Sequence, residues 1–166
     1  ERIKGGLKIA ALDSAASRAG IRVGQNLADA RALVPSLTVR EMNRPLLEAG
    51  FADFADWHSN ASPMVAVMDD AGRFGDLVLD ITGVDHLFGG EHAMLRMALT
   101  RLRMLGYTVA GAIAPTIGAA WAVSHFARSQ VVEQEALASV IDALPVAALR
   151  LSETQIAMLT QMGLKT

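Results

Sequence analysis

Two carboxylates, Asp76 and Asp80, come nearest to a catalytic pattern in this chain. They lie in residues 75–91, GDLVLDITGVDHLFGGE. Because successive side chains of a strand point to opposite faces, Asp76, Val78 and Asp80 share one face if the segment is extended. Converging carboxylates hold the metal ions of metal-dependent phosphoryl transfer. A strand of this kind is what such a site needs, which makes Asp76 and Asp80 candidate metal ligands.

A structural role is the alternative for both carboxylates. Asp80 precedes Thr82-Gly83, and an aspartate in that position commonly hydrogen-bonds the turn that follows it. Asp76 can equally lie at a sheet surface without binding a metal. The four histidines are scattered and show no metal-ligand spacing.

Periodic apolar patterns predict the elements that position this strand. Pro63 begins a strand, PMVAVMD, which a short turn at 70–73 joins to the carboxylate strand as a hairpin. A helix is expected from Glu91 to Leu105, with its stop at Gly106. Further strands are expected at 7–12, 37–42, 107–113 and 131–132, and further helices at 13–20, 27–34, 45–57, 117–128, 139–144 and 153–163.

This order of elements predicts an α/β (α+β) fold, in which a sheet carries helices packed on one face. Two apolar stripes are expected to be buried. The stripe expected on the sheet comprises Met94, Leu95, Ala98, Leu99, Leu102 and Leu105. The stripe expected to bury one face of the 45–57 helix comprises Leu46, Leu47, Phe51, Phe54 and Trp57.

Composition bounds the class of protein. The chain has 166 residues, of which 52% are hydrophobic, and this suffices for one domain with a core. No apolar run reaches transmembrane length, no secretory signal is visible, and cysteine is absent. We therefore expect a cytoplasmic protein with no membrane partner, no disulfide and no thiolate metal site. Because the chain starts at Glu1 rather than Met, we expect a piece of a longer protein.

Charge is unevenly distributed along the chain, whose net charge is −2. Residues 1–40 carry seven Lys/Arg against three Asp/Glu, whereas residues 41–90 carry two against nine. Mixed signs do not by themselves predict nucleic-acid binding, but the basic segments could supply local phosphate contacts.

The segment LDITG, Leu79 to Gly83, resembles an element of the Y-family translesion DNA polymerases. In active members an adjacent Asp and Glu just before this element bind catalytic magnesium. In register, those positions fall on Gly75 and Asp76, so the resemblance implies that Gly75 and Asp76 are vestigial. The continuation HLFGGE, 86–91, is similar to the ImuB-like branch of this family, which is regarded as catalytically inactive.

Two further segments resemble the family and depart from it at residues that handle phosphate. Residues 10–35 are similar to its fingers element, where a Tyr and an Arg contact the incoming triphosphate. Ser14 and Ser17 stand at those positions, and serine supplies no positive charge. At 112–122, Ile117 and Trp121 replace lysines that face template or phosphate.

The resemblance implies three parts: a partial fingers-like segment at 1–42, a palm-like domain at 43–145 and the start of a helical thumb at 146–166. It also implies candidate DNA contacts at Arg18, Arg22, Arg31 and Arg128. The first palm strand of the family, with another metal-binding Asp, lies before the fingers, and no segment before Leu7 matches it.

As the resemblance implies, the function is that of a non-catalytic adaptor in bacterial DNA-damage-induced mutagenesis. Its partners would be damaged or primer-template DNA, an error-prone replicative-type polymerase, an ImuA-type accessory protein, and the sliding clamp through regions beyond Thr166. One alternative is an active polymerase with a divergent site, which alone would require magnesium. The other is an interaction module that does not bind DNA.

Overall fold

A computed structural model of the chain describes residues 2–3, 6–70 and 73–166. The chain divides into two compact units, residues 1–54 and 55–166. The three-part division into fingers, palm and thumb stays a prediction. None of the helices in the described part of the chain is both long and apolar enough to cross a membrane.

The first unit contains short elements and the beginning of one longer helix. Strands β1 (Arg2–Ile3) and β2 (Gly6–Leu7) pair antiparallel, and helices α1 (Ser14–Arg18), α2 (Leu27–Leu33) and α3 (Arg44–Trp57) follow. The predicted start of α1 is confirmed, since the Asp13 carboxylate accepts a hydrogen bond from the Ala16 N–H at 2.7 Å. Asn26 holds the corresponding position before α2, but its side chain makes no capping bond.

Several predictions for the first unit are wrong. The strand predicted at 7–12 reduces to β2 and an isolated antiparallel bridge between Lys8 and Asn26, and residues 37–42 form no strand. The apolar stripe of α3 is also not buried as predicted, since the exposed fractions of Leu46 and Leu47 are 67% and 43%. Periodicity marks the apolar face of a helix but does not say what covers it.

The predicted hairpin is confirmed. Strand β3 (Met64–Asp70) pairs antiparallel with β4 (Arg73–Asp80), with Met64 opposite Asp80 and Met68 opposite Asp76. The register shifts between Met68 and Asp70. The turn predicted at 70–73 includes residues 71 and 72, which lie outside the described residues.

A buried serine closes the open end of this hairpin. Ser62 has an exposed fraction of 2%. Its hydroxyl accepts a hydrogen bond from the Met64 N–H at 3.1 Å and contacts the carbonyl oxygen of Asp80. One side chain thus fixes the start of β3 against the end of β4, which sets the position of the carboxylate strand.

Four helices complete the second unit: α4 (Glu91–Met104), α5 (Ile117–Phe126), α6 (Leu137–Asp142) and α7 (Glu153–Gln161). Their predicted ends are largely confirmed. Thr116 caps α5 by accepting from the Ala119 N–H at 3.2 Å, and Ser152 with Gln155 forms a capping box at the start of α7. Gly106, at φ 91°, follows the end of α4 in the left-handed region that favours glycine.

The core of the second unit centres on α5. Ala122 and Val123 of α5 cluster with Val132 and Leu144, and Trp121 packs against this cluster. The small side chains of this Ala-rich helix allow neighbouring segments to approach it closely.

The α/β class is confirmed, but two predictions for the second unit are wrong. Residues 107–113 form no strand, because only Ile113 pairs, in an isolated parallel bridge with Val131. In α4, Met94 and Leu99 are buried as predicted, whereas Ala98 and Leu105 are exposed.

Candidate functional site around Asp76

Asp76 of β4 bonds to two ring nitrogens of α5. The Trp121 Nε1–H donates to Asp76 Oδ2 at 3.1 Å, and His125 Nε2 lies 3.0 Å from the same oxygen. A carboxylate accepts hydrogen bonds, and His125 can donate to it in the tautomer that carries the proton on Nε2. The side chains of Asp76 and His125 are 38% and 40% exposed. The carboxylate is therefore accessible to water but already has two donors.

Helical spacing brings the two donors together. Trp121 and His125 are four residues apart on α5, so they lie on one face of the helix. Their rings stack with centroids 4.5 Å apart and an interplanar angle of 27°. Phe126 meets Trp121 edge-on at 5.9 Å, and the Arg150 guanidinium lies 5.2 Å from the centre of the Trp121 ring. The indole is thus held in place on several sides.

The described residues around Asp76 do not fit a magnesium site. Magnesium takes oxygen ligands in near-octahedral geometry, whereas indole nitrogen is a donor only and cannot ligate a metal. Gly75, beside Asp76, has no side chain, and its φ of 140° is one that L side chains rarely adopt. In the described part of the chain, no group of three His, Cys, Asp or Glu residues could hold a metal ion.

Asp80 has the structural role that the sequence offered as one alternative. Its Oδ1 accepts a hydrogen bond from the Thr82 N–H at 2.9 Å. Hydrogen bonds from the Thr82 side chain and then from its backbone lower the pKa of Asp80 below its ordinary value of 3.8. Asp80 therefore stabilises the turn that ends β4.

The remaining predicted site residues lie on exposed surface. Ser14 and Ser17, which occupy the positions of the triphosphate contacts, are both on α1 and exposed. The four candidate DNA-contacting arginines are exposed as well: Arg18, Arg22 and Arg31 in the first unit, and Arg128 in the second. Exposure is necessary for contact with phosphate but does not test it, so these roles stay predictions.

Sequence reasoning missed the contact of Trp121 and His125 with Asp76. Trp121 was considered as a residue that replaces a lysine, and His125 was counted among the scattered histidines. The available signal was their spacing of four residues, which places two potential hydrogen-bond donors on one face of a predicted helix.

The impB/mucB/samB family model matches residues 4–125. Two curated relatives, each named Protein ImuB, come from Caulobacter vibrioides strains NA1000 / CB15N and ATCC 19089 / CIP 103742 / CB 15. Each is 43% identical over 149 residues, which cover 87% of this chain and 31% of the relative. The chain thus spans less than a third of their length.

A solved structure, a DinB family error-prone DNA polymerase from Sulfolobus solfataricus, superposes on the chain with a TM-score of 0.74. The match has 17% identity and covers 98% of this chain and 50% of that chain. At this identity, the likeness concerns the fold.

Proposed function

Because the chain belongs to the impB/mucB/samB family and has ImuB relatives at 43% identity, we propose that it is part of a non-catalytic, Y-family polymerase-like adaptor. The adaptor acts in bacterial DNA-damage-induced mutagenesis and translesion synthesis in the cytoplasm. It links an error-prone replicative-type polymerase and an ImuA-type accessory protein to damaged DNA and to the sliding clamp. Residues 1–42 form the fingers-like part, residues 43–145 the palm-like part and residues 146–166 the start of the thumb.

The occupied carboxylate of Asp76 carries the non-catalytic part of the proposal. Trp121 Nε1–H and His125 Nε2 both lie within hydrogen-bond distance of Oδ2, one of the two oxygens with which the carboxylate could bind a metal ion. Gly75 supplies no second carboxylate, and two-metal catalysis depends on several converging ones. Ser14 and Ser17 add no positive charge for a triphosphate. Phosphoryl transfer requires metal ions that position the reacting groups and positive charge that neutralises the phosphates, and the chain lacks residues for both.

Primer extension by the full-length protein tests the loss of chemistry. We expect no template-dependent incorporation with magnesium or manganese. We also expect none after Gly75→Asp with Asp76→Glu, because Trp121 and His125 remain and Ser14 and Ser17 leave the triphosphate unclamped. A working DinB family polymerase is the positive control. Incorporation by the unmodified protein that disappears in Asp76→Ala would overturn the proposal in favour of an active polymerase.

Damage-induced mutagenesis in cells separates an adaptor from an enzyme. Asp76→Asn retains an oxygen that can accept from Trp121 but removes the charge that metal binding needs. We expect cells carrying Asp76→Asn to keep wild-type levels of induced mutation, whereas deletion of the gene abolishes it. A variant that accumulates normally but behaves like the deletion would show that the carboxylate has a chemical role.

A further inference from the structure

A groove lies between α4 and residues 129–131, and its volume is about 390 Å³. This falls within the range of pockets that bind small molecules or peptide side chains. Apolar side chains line it from both sides: Leu95 and Leu99 from α4, and Val131 from the facing segment. Thr100, Ser129 and Gln130 add hydrogen-bonding groups.

Two arginines and a histidine line the helix side of this groove. His92, Arg96 and Arg103 are spaced by four and seven residues, so they share one face of α4. All three are exposed. Arg103 donates a hydrogen bond to the Val109 carbonyl at 3.3 Å, whereas Arg96 has no partner within the described chain. The described lining residues include no Asp or Glu, so the lining itself offers no carboxylate to Arg96 and Arg103.

On the opposite side of the groove, Val131 lies in an isolated parallel bridge with Ile113. The Ile113 N–H donates to the Gln130 carbonyl at 3.1 Å, and the Val132 N–H donates to the Ile113 carbonyl at 2.8 Å. In such a parallel bridge, the N–H and C=O of Val131 point away from Ile113. Neither group has a hydrogen-bond partner among the described residues. An extended chain can pair with an edge of this kind by strand addition.

We propose that this groove binds an extended, acidic segment of a partner protein. Its carboxylates pair with Arg96 and Arg103, its alternate apolar side chains rest on Leu95 and Leu99, and its backbone pairs with Val131. A nucleic acid fits less well, because the described lining has no Phe, Tyr or Trp for base stacking and its floor is apolar. This docking site goes beyond the adaptor function and does not depend on loss of polymerase chemistry.

Selection from a random-peptide phage library tests the proposal. The library is selected on the wild-type full-length protein and counter-selected on the Arg96→Glu/Arg103→Glu variant. We expect the retained peptides to be acidic, with apolar residues at alternate positions. A synthetic copy of a retained peptide should bind the double variant about tenfold more weakly than wild type, because the two arginines are replaced by like charges. Arg40→Glu/Lys165→Glu, which makes the same charge change at two exposed residues that do not line the groove, should bind it like wild type.

Backbone pairing is tested on the peptide, so that the protein fold is left intact. N-methylation at alternate residues removes the N–H groups on one edge of the extended peptide. We expect methylation of the odd-numbered or of the even-numbered residues, but not of both sets alike, to abolish binding, because only one edge faces Val131. The proposal is overturned if no retained peptide depends on Arg96 and Arg103, or if the retained peptides are basic. It is also overturned if single-stranded DNA, rather than any peptide, loses about tenfold in affinity with the double variant.

Discussion

Asp76 keeps a carboxylate on the strand where related polymerases bind metal, yet Trp121 and His125 of α5 already bond to it. The same contact joins the hairpin to the helix at the centre of the core. A residue that resembles the remains of a catalytic site therefore has a structural task. Trp121 and His125 thus give the anion partners from α5.

The strength of this contact can be measured with a double-mutant cycle. We expect Asp76→Ala and Trp121→Phe to be coupled by about 1 kcal/mol in the free energy of unfolding, since a hydrogen bond to a half-exposed carboxylate is lost only once. Urea denaturation of the two single variants and the double variant gives this value. The matched control pairs Asp76→Ala with Trp57→Phe, because Trp57 lies against Arg101. Equal coupling in both cycles would contradict a direct Asp76–Trp121 bond.

Asp80 predicts a defined acid dependence of stability. Its pKa in the folded chain is below the ordinary value of 3.8, because Thr82 donates hydrogen bonds to the ionised form. The stabilisation is therefore fully present above pH 3.8 and is lost as the pH falls through the lowered pKa. Asp80→Asn keeps an acceptor for the Thr82 N–H but does not titrate. We expect the unfolding free energy of wild type to fall more steeply below pH 3.8 than that of Asp80→Asn, and parallel curves would refute this.

At the scale of elements, the sequence predicted what local signals determine. The hairpin, α4, α5 and α7 form where alternation, helical periodicity and capping residues placed them. The strand predicted at 107–113 failed because a strand requires a neighbour, and only Ile113 has a bridge partner. The contact between Asp76 and α5 could not be predicted from local signals either. Trp121 and His125 follow Asp76 in the sequence by 45 and 49 positions. Local patterns carry no information on such pairings.

Gly50 tests whether a residue with higher helix propensity stabilises α3. It lies inside the helix, and a Cβ added there would meet no atom within 4 Å. We expect Gly50→Ala to stabilise the chain by about 0.5–1 kcal/mol, because alanine loses less backbone freedom on folding. Gly75→Ala is the contrasting control, since its φ of 140° makes any side chain unfavourable. Thermal and urea unfolding should move the two variants in opposite directions.

At the scale of the whole molecule, the uneven distribution of charge limits how the chain could contact DNA phosphates. The basic residues 1–40 contain three of the four candidate DNA contacts, while residues 41–90 are strongly acidic. The adaptor proposed above would, with this distribution of charge, bind DNA through few phosphate contacts. Affinity of that kind is modest and independent of base sequence.

Replacement of Arg18, Arg22 and Arg31 by Ala in the full-length protein tests this expectation. Binding to primer-template DNA should weaken by a similar factor for different base sequences. The slope of log affinity against log salt should become shallower by about one unit for each phosphate contact that is lost. Fluorescence anisotropy across a salt series measures both quantities. If affinity and slope are unchanged, DNA binding resides elsewhere, or the chain is an interaction module that does not bind DNA.

The backbone conformation of Gly75 and the two donors to Asp76 also bear on how such a protein can evolve. A carboxylate restored at position 75 would meet an unfavourable φ, and Asp76 would still be bonded to Trp121 and His125. Loosening Trp121 first would weaken its packing against the core before any chemistry appeared. The effect of a carboxylate at position 75 on metal binding thus depends on whether Asp76 has been released from α5. Such dependence of one substitution on another is epistasis.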